Sequence, residues 1–463
     1  MLQLMQKSML RVLFIIPAYL ILLWGCSLES GRSIKEIQKS GKLIVLTRNA
    51  PTTYFFDSNE QATGPEYEMA EAFAKSLGVE TEYRIFHTTH EILEALEEGQ
   101  GDLAAAGLTK TKVRDTRFLF GPTYQEVQQQ IVCHNSVKQA KELNDLVGLK
   151  LVVSKNSSYE ETLNHFKAGM PNLTWESSDQ LNSEQLFEKM GRAEIDCTAV
   201  DTSITSINRR YFPELIVAFK LTEAEPLAWV LRSSSRDIQK FLEVWFKTFK
   251  SKGEMNQISE RYYGFLKKFD YVDTISFHNA IVERYPKYQH LFDKAAKEHG
   301  LDKFLLAAHS YQESHWRPKA KSPTGVRGIM MLTLPTAKSL GVKSRLDPYE
   351  NIMAGAKHFS NLMKSFNQQV TEPDRTWLAL AAYNVGRGHL HDAQELARRL
   401  EKNPYLWSDL RDVLPLLSNK KYYKTLKYGY ARGREPVRYV QRIRNYSDIL
   451  RNKLSQEQLT DIN

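Results

Sequence analysis

The spacing of apolar residues changes near residue 270, and this change constrains the fold of the chain more than any other feature. Before it, short apolar runs such as KLIVLTR alternate with stretches of helical spacing such as YEMAEAFAKSLG. After it the spacing is helical throughout, as in DKFLLAAHSYQESHW and RTWLALAAYNVG. Alternation of this kind is typical of α/β sheets, whereas continuous helical spacing favours an all-α core. The sequence therefore predicts an α/β part of two similar lobes, over 33–268, and then a mostly α-helical part, over 269–455.

The two parts also differ in charge. Residues 269–463 carry 31 basic and 20 acidic side chains, a net charge of +11, while residues 1–268 carry 32 and 34, a net charge of −2. A basic domain suits a polyanionic partner, which includes nucleic acid, an anionic lipid surface and a carboxylate-bearing polymer such as peptidoglycan. Charge alone does not choose among these three partners.

The N-terminus indicates where the protein works. Lys7 and Arg11 precede an uncharged apolar run, Val12 to Leu28, which has the pattern of a secretory signal over residues 1–26. A membrane-spanning helix usually needs ~20 apolar residues, and Pro17 interrupts this run, so an uncleaved anchor is the less favoured alternative. We therefore expect the protein to be exported, and an exported protein has little access to nucleic acid.

The stretch Leu23-Trp24-Gly25-Cys26 resembles a bacterial lipobox. The resemblance implies that Cys26 becomes the acylated N-terminus, and Ser27 after it implies passage to the outer membrane, on its periplasmic face. Ordinary signal cleavage with an unmodified Cys26 is the alternative. Cys133 and Cys197 remain, and two cysteines alone do not establish a disulfide framework.

Several motifs of the first part resemble those of a family 3 bacterial solute-binding protein, a two-lobed periplasmic-binding-protein-like fold. They are GKLIVLTRNAPTTYFF, GPEYEMAEAFAKSLGV, GDLAAAGLTKTKVR, GPTY, SSYEETL and EIDCTAVDTS. The resemblance implies a small ligand, such as an amino acid or a muropeptide, whose carboxylate is held by Thr109 and Arg114. It also places Asp201 at the ligand ammonium and Tyr54 in the pocket wall. A guanidinium matches a carboxylate bidentately, although Val113 stands where an acidic residue commonly precedes the arginine.

Two of these residues have simpler interpretations. Arg114 has Asp115 and Asp102 as possible partners in a surface ion pair. Asp201 follows an apolar run, and aspartate favours turns and helix caps at such positions. Both alternatives remain open at the level of the sequence.

In the second part the chemistry centres on Glu313. Asp302 is a suitable N-cap, and the helix that it starts places Leu305, Ala308 and Trp316 near one face. Glu313 lies at the end of this apolar stripe. Burial there would raise the pKa of the carboxyl, which is what a general acid near neutral pH needs. The alternative is a solvated glutamate in the last helical turn.

Two further segments provide candidate ligand contacts. Residues 322–337 (SPTGVRGIMMLTLPTA) combine a Pro-Thr-Gly turn and a second glycine with a new helix starting at Thr333. Glycines there let the backbone approach a ligand closely. In AAYNVGRG, Tyr383 and Asn384 end a helix that Gly386 stops, and an aromatic ring beside an amide is a common way to hold a sugar.

Together, YQESHW, SPTGVRGIMML, LALAAYNVG and YGYARGREPVRYVQRI resemble the four motifs of a family 1 lytic transglycosylase, which has a lysozyme-like fold and cleaves peptidoglycan. The resemblance implies that Glu313 is the catalytic acid. It implies that the substrate is bound by Ser314, Met331, Tyr383, Asn384 and Tyr439. The family commonly reads Gly-Leu-Met-Gln where this chain has Gly-Ile-Met-Met, so Met331 replaces a glutamine and lacks its hydrogen bonds.

The resemblance also implies the reaction and the groups that it requires. One carboxyl protonates the bond between N-acetylmuramic acid and N-acetylglucosamine, and the muramoyl C6 hydroxyl closes onto C1 to give a 1,6-anhydro sugar. A two-carboxylate glycosidase would instead need a second acid ~5–9.5 Å away. No cofactor and no metal are implied, and the spacing of His309, Glu313 and His315 is not that of an H-E-x-x-H zinc site.

The linker sequence FLKKFDYVDTISF has no Gly, Pro or Ser cluster, so it does not have the composition of a flexible tether. We therefore expect the two parts to touch, and we expect ligand binding in the first to modulate catalysis in the second. The alternative from another functional class is a catalytically inactive sensor that binds peptidoglycan or an amino acid.

Overall fold

The computed structural model describes residues 31–57, 60–137, 140–266, 271–323 and 325–460. The predicted signal over 1–26, with Cys26, lies outside the described residues. Within the described ranges, none of the helices combines the length and the apolar character needed to cross a bilayer.

Strands and helices alternate as far as Arg232. The strands are β1 Lys42–Arg48, β2 Phe55–Phe56, β3 Ala62–Thr63, β4 Glu80–Phe86, β5 Leu103–Ala104, β6 Phe118–Phe120, β7 Gln125–Val127, β8 Gln129–His134, β9 Val152–Ser154, β10 Glu176–Ser178, β11 Cys197–Asp201, β12 Leu215–Lys220, β13 Glu225–Leu227 and β14 Val230–Arg232. The helices in this region are α1 Ile34–Ser40, α2 Pro65–Leu77, α3 Thr89–Glu97, α4 Lys112–Asp115, α5 Ser158–Lys167, α6 Ser183–Gly191 and α7 Thr202–Asn208.

From Arg236 onward the described chain is helical. The helices are α8 Arg236–Ser251, α9 Glu254–Tyr263, α10 Tyr271–Glu283, α11 Gln289–His299, α12 Lys303–Ser314, α13 Leu334–Ser339, α14 Pro348–Lys364, α15 Asp374–Val385, α16 Arg387–Arg399, α17 Trp407–Val413, α18 Lys420–Tyr423 and α19 Arg434–Thr460. The predicted fold class, α/β followed by mostly α-helical, is confirmed.

The chain forms two compact units, whose boundaries pass through the α/β region. The first unit contains the residues up to Gln129, Val152–Asn182 and Leu221–Lys252. The second contains Gln130–Leu151, Ser183–Lys220 and the chain from Gly253 on. Each unit is therefore assembled from segments that are distant in sequence. The domain boundaries at 33–268 and 269–455 stay predictions.

A five-stranded sheet lies in the first unit, with the strand order β4-β1-β5-β14-β6. β1 pairs in parallel with β4 and β5, and β14 is antiparallel to both of its neighbours. Leu43, Val45 and Leu46 of β1 are fully buried. This burial is expected because helices cover both faces of a mainly parallel sheet.

In the second unit, a disulfide bond joins Cys133 to Cys197 across a sequence separation of 64 residues. The two cysteines lie on β8 and β11, which are neighbours in the three-stranded sheet β11-β8-β12. A bond of this kind stabilises the fold mainly by restricting the unfolded chain. Disulfides persist in oxidising compartments, which agrees with the expected export. The sequence leaves this pairing open, because the pairing depends on two distant strands becoming neighbours.

An apolar core holds the C-terminal helices together. Its largest fully buried side chains are those of Phe277, Tyr285, Phe292, Trp316, Phe359 and Trp407. Phe277, Phe292, Phe359 and Trp407 come from different helices, while Tyr285 and Trp316 lie in turns beside them, so the core forms where the apolar faces of these helices and turns meet. Helix α12 packs against α11 and α19, which brings residues from the two ends of this region together.

Within the second unit, the segment after α7 contacts α19. The guanidinium of Arg210 and the hydroxyl of Tyr211 both donate to the carboxylate of Asp448. The ring of His278 on α10 lies 2.9 Å from the carbonyl oxygen of Arg210. The side chain of Arg210 is 5 % exposed and that of Asp448 is 38 % exposed, so the guanidinium is buried while the carboxylate still contacts solvent. The expectation that the α/β and helical parts touch is confirmed here.

Candidate active site

The site is built on the C-terminal end of α12. Asp302 caps the start of this helix by accepting a hydrogen bond from the Leu305 amide, as expected. The helix ends where His315 and Trp316 adopt left-handed backbone conformations, with φ of 53° and 55°. The buried Trp316 indole donates to the carbonyl oxygen of Ala307 at 2.8 Å. This anchor fixes the last turn of α12, which carries the candidate acid.

Glu313 lies in that last turn with a side chain only 15 % exposed. The hydroxyl of Tyr439, on α19, donates to its Oε1 atom. Burial raises the pKa of Glu313 to about 7, and the hydrogen bond from Tyr439 opposes part of this rise. The alternative of a solvated glutamate is therefore wrong. A carboxyl in this state is able both to give and to take a proton near neutral pH.

The glycine-containing loop after α12 is held against that helix by serine hydroxyls. Ser310 and Ser314 donate to the carbonyl oxygen of Ile329, at 3.1 and 2.7 Å. On the other side of the loop, the amide of Met330 donates to Oδ1 of the buried Asn351, at 2.7 Å. These bonds fix the loop backbone beside Glu313. The predicted substrate residue Ser314 thus has its hydroxyl proton engaged in the protein.

Tyr383 and Asn384 end helix α15, as expected from Gly386, at which the helix stops. The hydroxyl of Tyr383 donates to the carbonyl oxygen of Met330, at 2.8 Å. Burial and the neighbouring Glu313 raise the pKa of Tyr383 well above its ordinary value, so it keeps its proton. Asn384 is exposed, and its amide is available to a ligand.

Met331 lies at the end of the same loop with φ of 48°, a left-handed conformation that is uncommon outside glycine and asparagine. Its amide donates to the carbonyl oxygen of Gly328, at 3.1 Å. The side chain is partly buried. The tight turn thus places an apolar side chain where the family commonly has an amide.

Three other carboxyls of the catalytic part are engaged in capping. Asp347 caps α14 by accepting from the amide of Glu350, at 2.8 Å. Glu350 itself accepts from the amides of Lys343 and Ser344. Asp302 caps α12 and pairs with Arg451. These three acids therefore have structural roles, which favours a site that works with Glu313 alone.

In the first unit, the structure brings Thr109 and Arg114 together. Arg114 is 3 % exposed, and its NH1 group donates to the carbonyl oxygen of Thr109, at 3.1 Å. Its Nε lies 3.4 Å from a carboxylate oxygen of Glu161. The alternative of a surface ion pair with Asp115 or Asp102 is wrong, because these acids pair with lysine and arginine elsewhere. Within the described ranges, NH2 of Arg114 has no hydrogen-bond partner, which suits an anionic ligand group.

Asp201 belongs to the second unit and is 3 % exposed. Its Oδ1 atom accepts from the amides of Ser203 and Ile204, at 3.0 and 3.1 Å, and so caps α7. The cap interpretation of Asp201 is therefore confirmed. Tyr54, in the first unit, is 6 % exposed and lies 5.0 Å, ring to ring, from Tyr83.

Two residues of the active site, Asn351 and His309, are not identified as site residues by the sequence. Asn351 orients the loop through bonds to residues more than twenty positions earlier, and no local signal identifies it. The sequence presents His309 only as a possible metal ligand, whereas the structure buries its ring fully beside Glu313. Its i, i+4 spacing to Glu313 was the available signal.

Two family models match separate parts of the chain. Residues 42–265 match the family described as bacterial extracellular solute-binding proteins, family 3, and residues 290–406 match the transglycosylase SLT domain. Glu313, Met331, Tyr383 and Asn384 lie within the second match.

Three relatives align with the chain over most of their length. The chain is 44 % identical to membrane-bound lytic murein transglycosylase F 2 of Alkalilimnicola ehrlichii, over 91 % of this chain and 94 % of the relative. It is 42 % identical to membrane-bound lytic murein transglycosylase F of Saccharophagus degradans, over 93 % and 86 %. It is 41 % identical to that of Aliivibrio fischeri, over 96 % and 92 %. The chain belongs to the membrane-bound lytic murein transglycosylase F family.

Proposed function

We propose that the chain is a peptidoglycan lytic transglycosylase that cleaves the bond between N-acetylmuramic acid and N-acetylglucosamine and releases 1,6-anhydromuramoyl products. The observation that carries this proposal is the state of Glu313, a buried carboxyl with a raised pKa that has a tyrosine hydroxyl as its hydrogen-bond donor. Family membership supports the same activity. Cell-wall remodelling and turnover follow as its role.

In the proposed reaction Glu313 acts twice. It first gives its proton to the glycosidic oxygen, so that the bond to the muramoyl C1 breaks and the N-acetylglucosamine leaves with a new hydroxyl. The resulting carboxylate then takes the proton of the muramoyl C6 hydroxyl, whose oxygen forms the new bond to C1. Glu313 ends protonated, as it began, and no water is consumed.

The other site residues donate a hydrogen bond to this carboxyl or hold the substrate. Burial and nearby Glu313 raise the pKa of Tyr439 well above its ordinary value, so its hydroxyl remains a donor to Glu313. We propose that Tyr383, Asn384 and Met331 contact the sugar, and that Ser314 acts by fixing the loop that carries Met331.

The experiment that tests the function is digestion of purified sacculi with the protein lacking residues 1–26, followed by mass spectrometry of the released muropeptides. Anhydromuramoyl products would support the lyase reaction. Products with a free reducing end would mean that water attacks C1 instead. Binding of the glycan without any release would favour the sensor function.

The raised pKa of Glu313 predicts how the rate depends on pH. The acid must be protonated in the free enzyme, so kcat/KM is expected to be constant below about pH 7 and to fall about tenfold per pH unit above it. Initial rates on sacculi between about pH 4 and pH 9 measure this dependence. A fall centred near the ordinary glutamate value of 4.5 would contradict a buried acid.

We also propose that the solute-binding domain modulates catalysis when it binds a small ligand, an amino acid or a muropeptide. The NH2 group of the buried Arg114, which has no hydrogen-bond partner within the described ranges, suits a ligand carboxylate. Asp201 caps α7, and Arg210 and Tyr211, which follow that helix, hold Asp448 on α19. Helix α19 also carries Tyr439, the hydrogen-bond donor to Glu313. A shift of α7 upon ligand binding therefore has a direct physical route to the acid.

The variant Asp448→Ala tests this route. We expect it to cleave sacculi without added muropeptide at a rate within about threefold of the parent, because Asp448 does not contact Glu313, but to lose the rate change that muropeptide causes. Asp412→Ala is the matched control, since Asp412 is an exposed acid paired with Lys402. Equal ligand responses in the parent and in Asp448→Ala, with binding to the solute-binding domain intact, would contradict the proposal.

The place of action follows from the N-terminal sequence and the relatives. We propose that the protein is exported and associated with the membrane, as the names of the relatives indicate for them. Acylation of Cys26 would attach it to the periplasmic face of the outer membrane, where the glycan strands are within reach. Metabolic labelling with a fatty acid, compared between the parent and Cys26→Ala, tests the attachment.

A further inference from the structure

His309 is a buried histidine with no assigned role. It lies one helical turn before Glu313 on α12 and is fully buried. Its Nε2 atom is 3.9 Å from Oε1 of Glu313. Within the described ranges, neither ring nitrogen has a hydrogen-bond partner. The buried Nε2 atom, for which the described residues provide no hydrogen-bond partner, therefore lies close to the carboxyl of the candidate acid.

Rings from three helices, α14, α15 and α19, contact His309. From α14, Phe359 contacts it edge-on at 5.2 Å between ring centroids, and His358 lies near enough to influence its charge. Tyr383 on α15 lies at 4.4 Å and Tyr439 on α19 at 5.8 Å. The titratable groups that face His309 are therefore two tyrosines, His358 and Glu313.

The imidazole is neutral in these surroundings. Burial, helped by His358, lowers the pKa of His309 to about 3. The 3.9 Å contact with Glu313 is therefore not an ion pair. A neutral imidazole still has one N–H donor and one acceptor nitrogen, so it is able to donate to a carboxylate without competing for the catalytic proton.

An unpaired polar group in a protein interior lowers the stability of the fold. An apolar side chain of similar size would pack against Phe359 and the two tyrosine rings without that loss. Costs of this kind are typical of functional sites, where activity and stability oppose each other. Because the destabilising imidazole lies one helical turn from Glu313, its location indicates a role in the action of that acid.

We propose that His309 is a positioning residue for Glu313: its neutral ring donates Nε2–H to the carboxylate that forms when Glu313 has released its proton. This inference rests on the proposed lyase reaction, which needs that carboxylate to persist until it takes the C6 hydroxyl proton. The 3.9 Å separation is too long for a hydrogen bond to the protonated acid, and a movement of about 1 Å closes it. The charge on the carboxylate supplies the attraction for that movement.

The test compares His309→Leu, which removes the donor, with His309→Gln, which keeps an N–H donor on a side chain of similar reach. We expect His309→Leu to melt at the same temperature as the parent or higher, and to have a kcat about tenfold lower with KM changed less than about twofold. Its kcat/KM should fall at a higher pH than that of the parent, because the carboxylate has lost a donor. His309→Gln should recover kcat to within about threefold of the parent.

His299→Leu, at the end of α11 and away from Glu313, is the matched control and should follow the parent in rate and pH profile. Superimposable kcat values and pH profiles for His309→Leu and the parent would overturn the inference. It would also be overturned if both His309 variants melted early and lost activity in proportion to their unfolded fraction. If the parent itself released no anhydro products, the proposed function would fail, which is a result distinct from either of these.

Discussion

Replacing Glu313 with Gln is expected to lower the release of anhydromuramoyl products by at least about a thousandfold. Gln keeps the size of the side chain, and its carbonyl oxygen still accepts the hydrogen bond from Tyr439. It has no proton to give to the glycosidic oxygen and no carboxylate to take one from the C6 hydroxyl. Since both halves of the proposed reaction depend on this carboxyl, they should fail together.

The same variant is expected to be at least as stable as the parent at neutral pH. Burial raises the pKa of Glu313 from 4.5 to about 7, so the folded protein holds this proton while the unfolded chain has released it. Stability that is present at low pH is therefore lost as the pH rises from about 4.5 to about 7, where the folded carboxyl also ionises. Gln does not titrate, so the stability of the variant is not expected to fall in this pH range.

Mass spectrometry of digested sacculi measures the first effect, and thermal melts at about pH 5 and pH 7.5 measure the second. Glu298→Gln is the control, because Glu298 is a largely exposed carboxyl on α11. If Glu313→Gln keeps a tenth or more of the parent rate, Glu313 is not the acid.

The variant Gly328→Ala is expected to destabilise the catalytic part by about 3 kcal/mol or more and to abolish cleavage. Gly328 has φ of 94°, a conformation that side chains rarely adopt. A Cβ atom there would lie 2.0 Å from the carbonyl oxygen of Arg345 and 2.3 Å from Nδ2 of Asn351. Because Asn351 holds the Met330 amide, its displacement would also move the loop beside Glu313.

Gly325→Ala is a matched control from the same loop. Gly325 also has positive φ, 84°, but a Cβ atom there would meet nothing within 4 Å. Only the backbone strain remains, which is worth about 1 kcal/mol. Urea unfolding of both variants separates strain from steric exclusion, and equal losses of stability would contradict the steric argument.

Much of the local structure was predictable because its signals are local. Asp302 caps α12, Thr333 caps α13, and Gly386 ends α15, all as their positions indicated. Such residues act on backbone groups within a few positions of themselves. The burial of Glu313 was also expected, since it lies at the end of an apolar helical stripe.

The partners of these residues were not predictable in the same way. Ser314 was expected to contact substrate, yet its hydroxyl donates to the loop at Ile329. The sequence offers Asp115 and Asp102 as possible ion-pair partners of Arg114, yet the acid that lies beside Arg114 is Glu161, from a later helix. In both cases the partner comes from another segment of the chain, and the packing of helices and loops decides whether that segment lies close to the residue.

The sequence by itself determined the change from α/β to helical structure, the caps and the position of the acid on its helix, because periodicity and capping act over single turns. Only the tertiary structure decided that Tyr439 donates to Glu313 across 126 residues, that Cys133 meets Cys197, and that the ring nitrogens of His309 find no hydrogen-bond partner among the described residues. These contacts depend on the packing of α12 against α14, α15 and α19, and on the pairing of distant strands. Since many packings are compatible with the same local pattern, the pattern cannot specify them.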